Sequence, residues 1–515
     1  MDKKKTSKNK NIINKSKKLV KKNNKRNSKK SKKILNSINK KDNKKKYSKK
    51  KSPLKSKKLI YSLFIILILL IIGVYNQIKP MPPGTSFEGI NWNISDDNIK
   101  FVADYTYKVG NETVYEHEIF DELFSLINSA QETVLIDMFL FNNDYNHIAQ
   151  RRQITNELTD LLVSRTDLDR VIITDRINTF YDSYVPEHIQ RLEESGVNIV
   201  YTDMSKMRDS NPIYSTLWRA VFQWIPMPFR ISHPLGNQDH KVTIKSIFDV
   251  LNAKANHRKV AIIDSRYALV TSANPHTASS GHSNVGVLFT SRAVNEIIAS
   301  EQAIANWSGF EFEHRYHNIS SVGIMRLKVL TEGKIAESML KDISETRKGD
   351  SITVMAFYMS DRKIINELKK ASRRGVDIIL VLDPNKDAFS REKNGIPNRQ
   401  VARELLPFAE IVWYNTDGEQ FHTKMMIIQK GCDIIVHIGS ANLTKRNLQD
   451  YNLELNLRIS SYHSNDFTKD VMFYRNRILF NEDGLFTVPY NEYQDTSRLR
   501  TLLYRFQECS GLSTF

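Results

Sequence analysis

Two stretches of this chain repeat one another, and the repeat limits the fold more than any other feature of the sequence. Residues 257–274 read HRKVAIIDSRYALVTSAN, and residues 422–442 read HTKMMIIQKGCDIIVHIGSAN. Each stretch begins with His-x-Lys, continues through four apolar residues and ends on Ser-Ala-Asn. The neighbouring helix and strand patterns recur in the same order, which an internal duplication explains. We therefore expect two similar lobes, with the repeated motifs meeting where the lobes join.

Each motif predicts a small polar pocket. Side chains alternate between the two faces of a strand, so His257 and Lys259 point the same way. Residues 264–267 have turn character, and a hairpin there would return Ser272 and Asn274 towards the histidine. An imidazole, an ammonium group, a hydroxyl and an amide gathered in this way suit a phosphate group.

Strand and helix patterns alternate through most of the chain. Apolar runs such as 133–141 and 351–358 predict buried strands, and amphipathic stretches such as 116–129 and 363–374 predict helices. The fold class we expect is α/β, with two lobes at residues 90–330 and 331–515. Their sheets should be mixed, largely parallel and flanked by helices, and the lobes should be related by a pseudo-two-fold axis.

The net charge of +19 is concentrated at the N-terminus. Residues 1–58 contain 27 Lys and Arg against 2 acidic residues, so residues 59–515 carry a net charge of −6. This Lys-rich tail has the composition of a disordered segment. With almost no aromatic residues for stacking on bases, it favours contact with anionic lipid over nucleic acid.

One membrane anchor follows the tail. Leu59–Tyr75, LIYSLFIILILLIIGVY, is uncharged and close to the lower length limit for a spanning helix. We predict a retained transmembrane helix at residues 59–78 and a linker at 79–89, because the charged region is too long for a cleaved signal peptide. The Lys excess before it predicts a cytoplasmic N-terminus, with the rest of the chain anchored in the cell membrane and extracytoplasmic.

Cysteine and histidine spacing gives no sign of a metal site. Cys432 and Cys509 are too few for a disulfide framework, and two unpaired thiols are favoured over one bridge. His276, His282 and His437 lie near the motifs but match no zinc pattern, so we expect structural or surface roles for them. The sequence calls for no cofactor, and it leaves the oligomeric state open.

The two motifs resemble those of the phospholipase D superfamily, whose members include phospholipases, cardiolipin synthases and some nucleases. The first copy departs from the family pattern, HxK(x)4D followed by GSxN, only by Thr271 in place of glycine. The second has Gln429 in place of the Asp264 of the first copy, and a turn three residues longer. In the family this aspartate supports the fold more than it contacts substrate, so the change implies a local effect on stability.

The resemblance implies a reaction without metal. One histidine attacks phosphorus to form a covalent phosphohistidine, and the other protonates the leaving oxygen and then activates water or an acceptor alcohol. It favours His257 as the nucleophile and His422 as the acid and base. The groups that would stabilise the phosphoryl oxygens by charge or hydrogen bonds are Lys259, Lys424, Asn274, Asn442, Ser272 and Ser440.

Glu454 is predicted to orient one of the histidines. Alternation places it on the strand face of Asn452 and Asn456, where a buried carboxylate could bind an imidazole. Because Asn274 and Asn442 each precede another asparagine by ten residues, the spacing pairs Glu454 with Gly286 of the first copy. The two histidines should then have unequal surroundings.

Residues 211–229, NPIYSTLWRAVFQWIPMPF, have no counterpart in the second copy. On a helix, Tyr214, Leu217, Trp218 and Val221 would form an apolar stripe, continued by Phe222. Such a stripe is typical of a packed core, but beside a membrane anchor it also fits a segment in the lipid interface or an acyl-chain groove.

These features favour a membrane-anchored enzyme that hydrolyses phospholipid headgroup esters or transfers a phosphatidyl group. The alternative is an anchored nuclease, which would need a basic channel that a net charge of −6 on residues 59–515 disfavours. A further alternative, based on Gln429, is an inactive scaffold. The intact histidines and lysines oppose that alternative.

Overall fold

The computed structural model describes residues 53–143, 151–234, 236, 239–313, 316–388 and 391–513, together with residues 33 and 37. Most of the predicted Lys-rich tail, residues 1–58, lies outside this description. The predicted domain boundaries, at residues 58, 78, 89 and 330, remain predictions.

Strands occur throughout the described part of residues 92–489. They are β1 (Trp92–Ile94), β2 (Ile99–Val109), β3 (Glu112–Glu116), β4 (Thr133–Met138), β5 (Asp169–Thr174), β6 (Asn198–Tyr201), β7 (Arg230–Ser232), β8 (Lys241–Thr243), β9 (Lys259–Ile263), β10 (Tyr267–Thr271), β11 (Asn284–Phe289), β12 (Met325–Thr331), β13 (Ser351–Ala356), β14 (Asp377–Leu382), β15 (Asp387–Ala388), β16 (Arg391–Glu392), β17 (Glu410–Tyr414), β18 (Lys424–Lys430), β19 (Asp433–Gly439), β20 (Leu455–Tyr462) and β21 (Thr487–Pro489).

The α-helices of the described residues alternate with these strands. They are α1 (Pro53–Ile78), α2 (Ile119–Ser129), α3 (Ile154–Ser164), α4 (Glu187–Glu194), α5 (Pro212–Ala220), α6 (Ile244–Val250), α7 (Ala293–Trp307), α8 (Gly333–Ser344), α9 (Arg362–Arg373), α10 (Asn398–Leu405), α11 (Lys445–Leu448), α12 (Asp466–Phe480) and α13 (Arg498–Ser510).

Two large sheets confirm the predicted duplication. One has the order β3-β2-β11-β10-β9-β4-β5-β6, and the other has the order β1-β12-β20-β19-β18-β13-β14-β17-β21. Seven consecutive strands correspond one to one, from β2 with β12 to β6 with β17. The His-x-Lys strands β9 and β18 occupy equivalent central places in the two sheets.

The α/β fold class is confirmed, but the expectation of largely parallel sheets is wrong. In the first sheet only β4–β5 and β5–β6 are parallel, and in the second only β13–β14 and β14–β17. Each motif instead forms an antiparallel hairpin, β9–β10 or β18–β19, that pairs antiparallel with the next strand. Short connections allow only antiparallel pairing, because a parallel pair needs a long crossover.

The two sheets share a central apolar core. Residues of β2 and β11 pack there with residues of β12 and β18–β20, including Phe101, Val287, Met425 and Leu457. Each sheet packs its other face against helices, so separate cores form beneath α2–α4 and beneath α8–α10. The sheets are therefore layered face to face between helices.

Helix α1 is the candidate membrane span. Residues Lys57–Ile78 have a mean hydropathy of 2.5 over their most apolar window, which makes them long and apolar enough to cross a bilayer. Near its end, Asn76 turns inwards, and its carbonyl accepts a hydrogen bond of 3.0 Å from the Asp209 backbone N–H.

Candidate active site

The two motifs meet by exchanging backbone hydrogen bonds between the lobes. The His257 N–H donates to Leu453 O at 2.9 Å, and the Leu453 N–H donates to Ala255 O at 3.1 Å. The second motif repeats this arrangement, because the His422 N–H donates to Ser283 O at 2.9 Å. Each histidine is thus fixed against the segment that leads into the last motif strand of the other lobe.

Glu454 lies within hydrogen-bonding distance of His257. The Nδ1 atom of His257 lies 2.9 Å from Oε1 and 3.1 Å from Oε2 of the Glu454 carboxylate. Ser440 Oγ and Asn447 Nδ2 donate to the same carboxylate. Because a carboxylate only accepts hydrogen bonds, Nδ1 of His257 carries the proton and Nε2 keeps its lone pair.

Asn284 orients His422. Its Nδ2 donates to His282 O at 3.2 Å, which turns its Oδ1 towards His422 Nδ1 at 3.0 Å. Ser272 Oγ also donates to this oxygen, at 3.2 Å. The Nδ1 atom of His422 is therefore the donor, and Nε2 is again left with its lone pair.

The expected pairing of Glu454 with Gly286 is wrong. The N–H groups of Ser272 and Ser440 donate to Val285 O and Leu455 O at 2.8 and 3.0 Å. These bonds make Asn284, the residue before Val285, the counterpart of Glu454. The loop before β20 is two residues longer than the loop before β11. Counting residues from Asn274 and Asn442 therefore gave the wrong pair. The prediction of unequal surroundings holds with this corrected pair, a neutral amide against a carboxylate.

Burial sets the ionisation of this site. It lowers the pKa of His257 to about 4 and the pKa of His422 well below its usual value, so both rings are neutral at pH 7. Burial alone would raise the pKa of Glu454, but its interaction and hydrogen bond with His257, together with Lys259 and the Ser440 hydroxyl, hold it below its ordinary value. The resting site therefore pairs a carboxylate with two neutral imidazoles.

The lysines stand beside the histidines in equivalent positions. Lys259 Nζ donates to His257 O at 2.8 Å, and Lys424 Nζ donates to His422 O at 2.7 Å. Their ammonium groups lie 5.2 and 5.3 Å from the ring centres of Phe139 and Phe357. Burial lowers the pKa of Lys259 to about 7, and it lowers the pKa of Lys424 well below its usual value. A bound phosphodiester anion would favour the charged form of both.

One cavity of about 320 Å³ collects the two histidines with Asn274 and Asn442. Asn274 Oδ1 accepts the Leu140 N–H at 3.3 Å, whereas Asn442 Oδ1 is buried with no hydrogen-bond partner among the described residues. Ser272 and Ser440 lie behind the cavity, where they hold Asn284 and Glu454. The apolar part of the wall is formed by Leu140, Ile177, Phe180, Val250, Ala253 and Ala278.

Comparisons with known proteins bear on this geometry. Residues 339–472 match the family model described as "Cardiolipin synthase, PLD-like domain". The solved phosphatidylserine synthase of Haemophilus influenzae Rd KW20 is similar over 82% of this chain and 95% of its own, with 9% sequence identity and a TM-score of 0.53. The chain has a phospholipase D-type fold and domain, as the motifs predicted. Polyphosphate kinase from Porphyromonas gingivalis aligns over 81% of this chain and 56% of its own, with 10% identity and a TM-score of 0.40. No curated protein sequence matches the chain.

A buried ionic cluster lies behind the candidate site and contacts its backbone. Alternation turns Arg258 away from the cavity, where its guanidinium donates to Glu301 at 2.9 Å and to Glu332 at 2.7 Å. Glu332 also accepts the backbone N–H of Glu454 at 3.1 Å. Sequence reasoning missed this cluster, although an arginine between two inward-facing motif residues must point to the opposite face.

The phenylalanines Phe139 and Phe357 were also missed as site residues. Their rings lie 4.9 and 5.0 Å from those of His257 and His422. Both follow directly on equivalent strands, β4 and β13, so the internal repeat could have identified them. They screen the histidines from solvent and contribute to the burial that keeps the rings neutral.

The other predicted histidines differ in position. His437 has a structural place, with Nε2 2.7 Å from Asp342 on the buried side of β19. His276 and His282 instead line the cavity, which the expectation of structural or surface roles did not include. The ring centre of His282 lies 5.9 Å from that of His422, and its Nδ1 accepts the Gln420 N–H at 3.1 Å. Cys432 and Cys509 are exposed and unpaired, as favoured.

Proposed function

We propose that this chain is a membrane-anchored phosphodiesterase of phospholipase D type, which transfers a phosphatidyl group from a phospholipid to an alcohol or to water. The observation that carries the proposal is the cavity that holds both motif histidines against an apolar wall. A phosphodiester with acyl chains matches both halves of that lining.

In the first step, His257 Nε2 attacks phosphorus, the bond to the headgroup oxygen breaks, and His422 supplies the proton to that oxygen. A phosphorylated imidazole that keeps its Nδ1 proton is positively charged. Only His257 has a carboxylate, Glu454, against Nδ1 to balance that charge. This favours His257 as the nucleophile independently of the resemblance.

In the second step, His422 accepts the proton of the incoming alcohol or water, whose oxygen attacks phosphorus while the bond to His257 breaks. For His422 to donate first, it must gain a proton as the substrate binds. The negative phosphodiester favours this by opposing the burial and the neighbouring lysines that lower its pKa.

The remaining motif residues stabilise the phosphoryl oxygens. Lys259 and Lys424 supply charge, and the side-chain N–H groups of Asn274 and Asn442 supply hydrogen bonds to these oxygens. Ser272 and Ser440 are positioning residues, since their hydroxyls hold Asn284 and Glu454.

Phospholipid is favoured over nucleic acid by the apolar wall and by the description of the matching family model. The phosphatidylserine synthase likeness shows the fold alone and does not decide the acceptor. The cavity also includes Arg151, Lys393 and Arg446, whose charge would attract either anionic substrate. The assay must therefore include both classes.

The deciding experiment offers the full chain phosphatidylglycerol or phosphatidylcholine vesicles and, separately, a single-stranded oligonucleotide. We expect release of the lipid headgroup, lost by at least about 10³-fold in His257→Ala. His437→Ala is the matched control for loss of a buried histidine outside the cavity. Histidine-dependent cleavage of the oligonucleotide with untouched lipid would refute the lipid proposal.

A lipid with a p-nitrophenyl leaving group separates the two histidine roles. This group departs as an anion and needs no proton, so His422→Ala should still release one equivalent and then stall as the phosphohistidine. His257→Ala should release none. A burst in His257→Ala but not in His422→Ala would reverse the assignment.

We propose that α1 anchors the chain with its N-terminus in the cytoplasm, its catalytic part outside, and the Lys-rich tail on anionic lipid. The Lys excess before α1 supports this orientation. Protease added to intact cells should digest the catalytic part. Protection of residues 80–515 would reverse the orientation.

A further inference from the structure

Large apolar side chains are exposed on the segment that begins with α5. We call Ile213, Leu217, Val221, Trp224 and Phe229 the apolar platform. Ile213, Trp224 and Phe229 are 70%, 74% and 73% exposed. Contiguous apolar surface of this kind is rare on soluble proteins and marks a site of interaction.

Helix α5 buries one large apolar side chain, Trp218, together with two small polar ones, and exposes its other large aliphatic side chains. Ile213 and Leu217, four residues apart, share the outer face with Val221 at the C-terminal cap. Ser215, Thr216 and Trp218 are buried. A helix on a water-facing surface normally buries its apolar stripe and exposes its polar one, so this helix is suited to an apolar medium. The expectation that the apolar stripe of residues 211–229 packs in the core is therefore confirmed for Trp218 and wrong for Leu217 and Val221.

The same segment packs against the end of α1. A Cβ atom at Gly73 would lie 2.6 Å from Thr216 Oγ1, so glycine permits close contact between α1 and α5. Around it, Lys79 Nζ donates to Ser205 O at 2.8 Å, and Arg208 Nε donates to Lys79 O at 2.9 Å. The base of the platform is therefore attached to the exit of the candidate span.

The part of α1 that contacts α5 still belongs to the uncharged apolar run. Gly73 lies within the uncharged run that ends at Tyr75, and it precedes the end of α1 at Ile78 by about 7–8 Å of helix rise. If α1 spans a bilayer, a helix at this level lies at the boundary between acyl chains and headgroups. Exposed tryptophan is typical of that boundary.

A second exposed apolar stripe approaches the same place. Leu499, Leu502 and Phe506 lie on α13, and each is at least 59% exposed. The helix ends at Gly511, where an added Cβ would lie 2.0 Å from Ser210 O, just before α5. A second helix with exposed apolar side chains therefore adjoins the segment that leads into α5.

We propose that the apolar platform lies in the interface of the bilayer that α1 spans, and so holds the cavity at the lipid surface. The occupant we assign is phospholipid. Exposed Arg230 and Lys241, on the β7–β8 hairpin that follows the platform, suit the headgroup phosphates. Val250 and Ala253 of the cavity wall flank the half-exposed Leu251, which gives an acyl chain an apolar path. The role of this path rests on the proposed function, whereas the position of the platform does not.

The test uses the full chain in vesicles whose lipids carry bromine on the acyl chains. Brominated lipid should quench tryptophan fluorescence in the unmodified chain, and Trp224→Tyr should remove most of that quenching. The matched control adds Phe480→Trp to Trp224→Tyr. Phe480 is also 67% exposed, but it ends α12, which packs on β2 and β21. Unchanged quenching in Trp224→Tyr, or equal quenching at position 480, would overturn the proposal.

Activity supplies a second readout. Trp224→Ser with Phe229→Ser should lower turnover of vesicle lipid about tenfold and leave turnover of a short-chain monomeric lipid unchanged. Phe473→Ser with Phe480→Ser should change neither. Quenching at Trp224 without any lipid turnover would refute the proposed function and leave the platform standing. Two results together would assign this surface to a second copy of the chain and overturn the proposal. Quenching would fall as the protein concentration rises, and the changes at Trp224 and Phe229 would abolish a dimer.

Discussion

At the scale of single residues, the two histidines are alike in position and different in electrostatics. Glu454 is charged and accepts hydrogen bonds from three side chains, including His257. Asn284 is neutral and accepts from His422. A positive charge on His257 is therefore balanced within hydrogen-bonding distance, and a positive charge on His422 is not.

We predict that Glu454→Gln lowers kcat by about 10²–10⁴-fold while the chain remains folded. Glutamine keeps an acceptor but loses the charge that balances the phosphorylated ring. Because Glu454 opposes the burial that lowers the pKa of His257, the substitution should lower this pKa further, below about 4. Activity requires neutral His257, so the acid limb of kcat/KM should move to lower pH.

The matched control is Asn284→Asp, which should raise the pKa of His422 and move the basic limb of the profile to higher pH. Thermal unfolding of both variants verifies that they fold. An unshifted acid limb in a folded Glu454→Gln chain would contradict the role of this carboxylate.

A second residue-scale prediction concerns one backbone N–H whose hydrogen-bond acceptor comes from a different strand in each lobe. In the second lobe, Asn456 Oδ1 accepts the Ala441 N–H at 3.0 Å. In the first, Thr271 Oγ1 accepts the equivalent Ala273 N–H at 3.1 Å, and Gly286 occupies the position of Asn456. The departure of Thr271 from the family glycine is thus compensated across the strand pair.

Thr271→Gly should therefore destabilise the chain by about 1–3 kcal/mol, because it leaves a buried N–H without an acceptor. Adding Gly286→Asn should recover part of this. Loss of the Thr271 side chain removes the contact at 3.0 Å that a Cβ at Gly286 would make, and Val102 Cγ2, at 3.2 Å, limits the recovery. A double-mutant cycle in denaturant measures the coupling. Additive effects would exclude the compensation.

Sequence was sufficient to select the histidines, the lysines and Glu454 as neighbours, and insufficient to select Asn284. Strand alternation and the repeat place His257 and Lys259 together, and this inference does not depend on the length of any loop. The match of Asn284 with Glu454 depends on loops of different length, so counting residues from Asn274 and Asn442 selected Gly286 instead. Glu454 itself could be predicted as an orienting residue because its strand face was clear.

At the scale of elements, Asp264 fastens the turn of the first hairpin to the start of β4. Its carboxylate accepts the backbone N–H groups of Gln131, Glu132 and Thr133 at 2.8–3.1 Å. Gln429 at the equivalent place accepts the Ser351 hydroxyl, at 3.0 Å, and donates to Met472 Sδ, and it accepts no backbone N–H among the described residues. The family aspartate thus supports the fold here, as the resemblance implies.

Asp264→Ala should consequently destabilise the chain by about 1–3 kcal/mol and leave kcat of the folded fraction within about twofold. Gln429→Ala, the matched change in the second lobe, should cost less. Urea unfolding and active-site titration measure the two effects separately. A large fall in kcat at full stability would instead place Asp264 in the chemistry.

The error about parallel strands also belongs to this scale. Apolar strand runs alternating with helices favour parallel pairing, and they predict it correctly for β4–β6 and β13–β14–β17. The motif hairpins have the same apolar composition because both faces of their sheets are covered. Their turns, with Asp264 and Ser265 at φ of 50° and 56°, decide the direction of the next strand.

At the scale of the whole molecule, the two sheets share a core and each lobe completes the site of the other. Glu454 of the second sheet holds His257 of the first, and Asn284 of the first sheet holds His422 of the second. The histidines are therefore oriented only when both lobes are folded against each other, and one chain supplies every part.

This arrangement predicts no complementation between inactive chains. If His257→Ala and His422→Ala chains are co-expressed and purified together through different tags, the mixture should show no more activity than the two variants alone. Each folded chain carries one defective histidine, and the continuous core between the sheets leaves no loose lobe to exchange. Recovery approaching half of the unmodified activity would mean that lobes pair between chains, because each mixed pair would then hold one intact site and one site that lacks both histidines. The isolated assay of each variant is the control, and the co-purified pair is compared with unmodified chains carrying the same two tags.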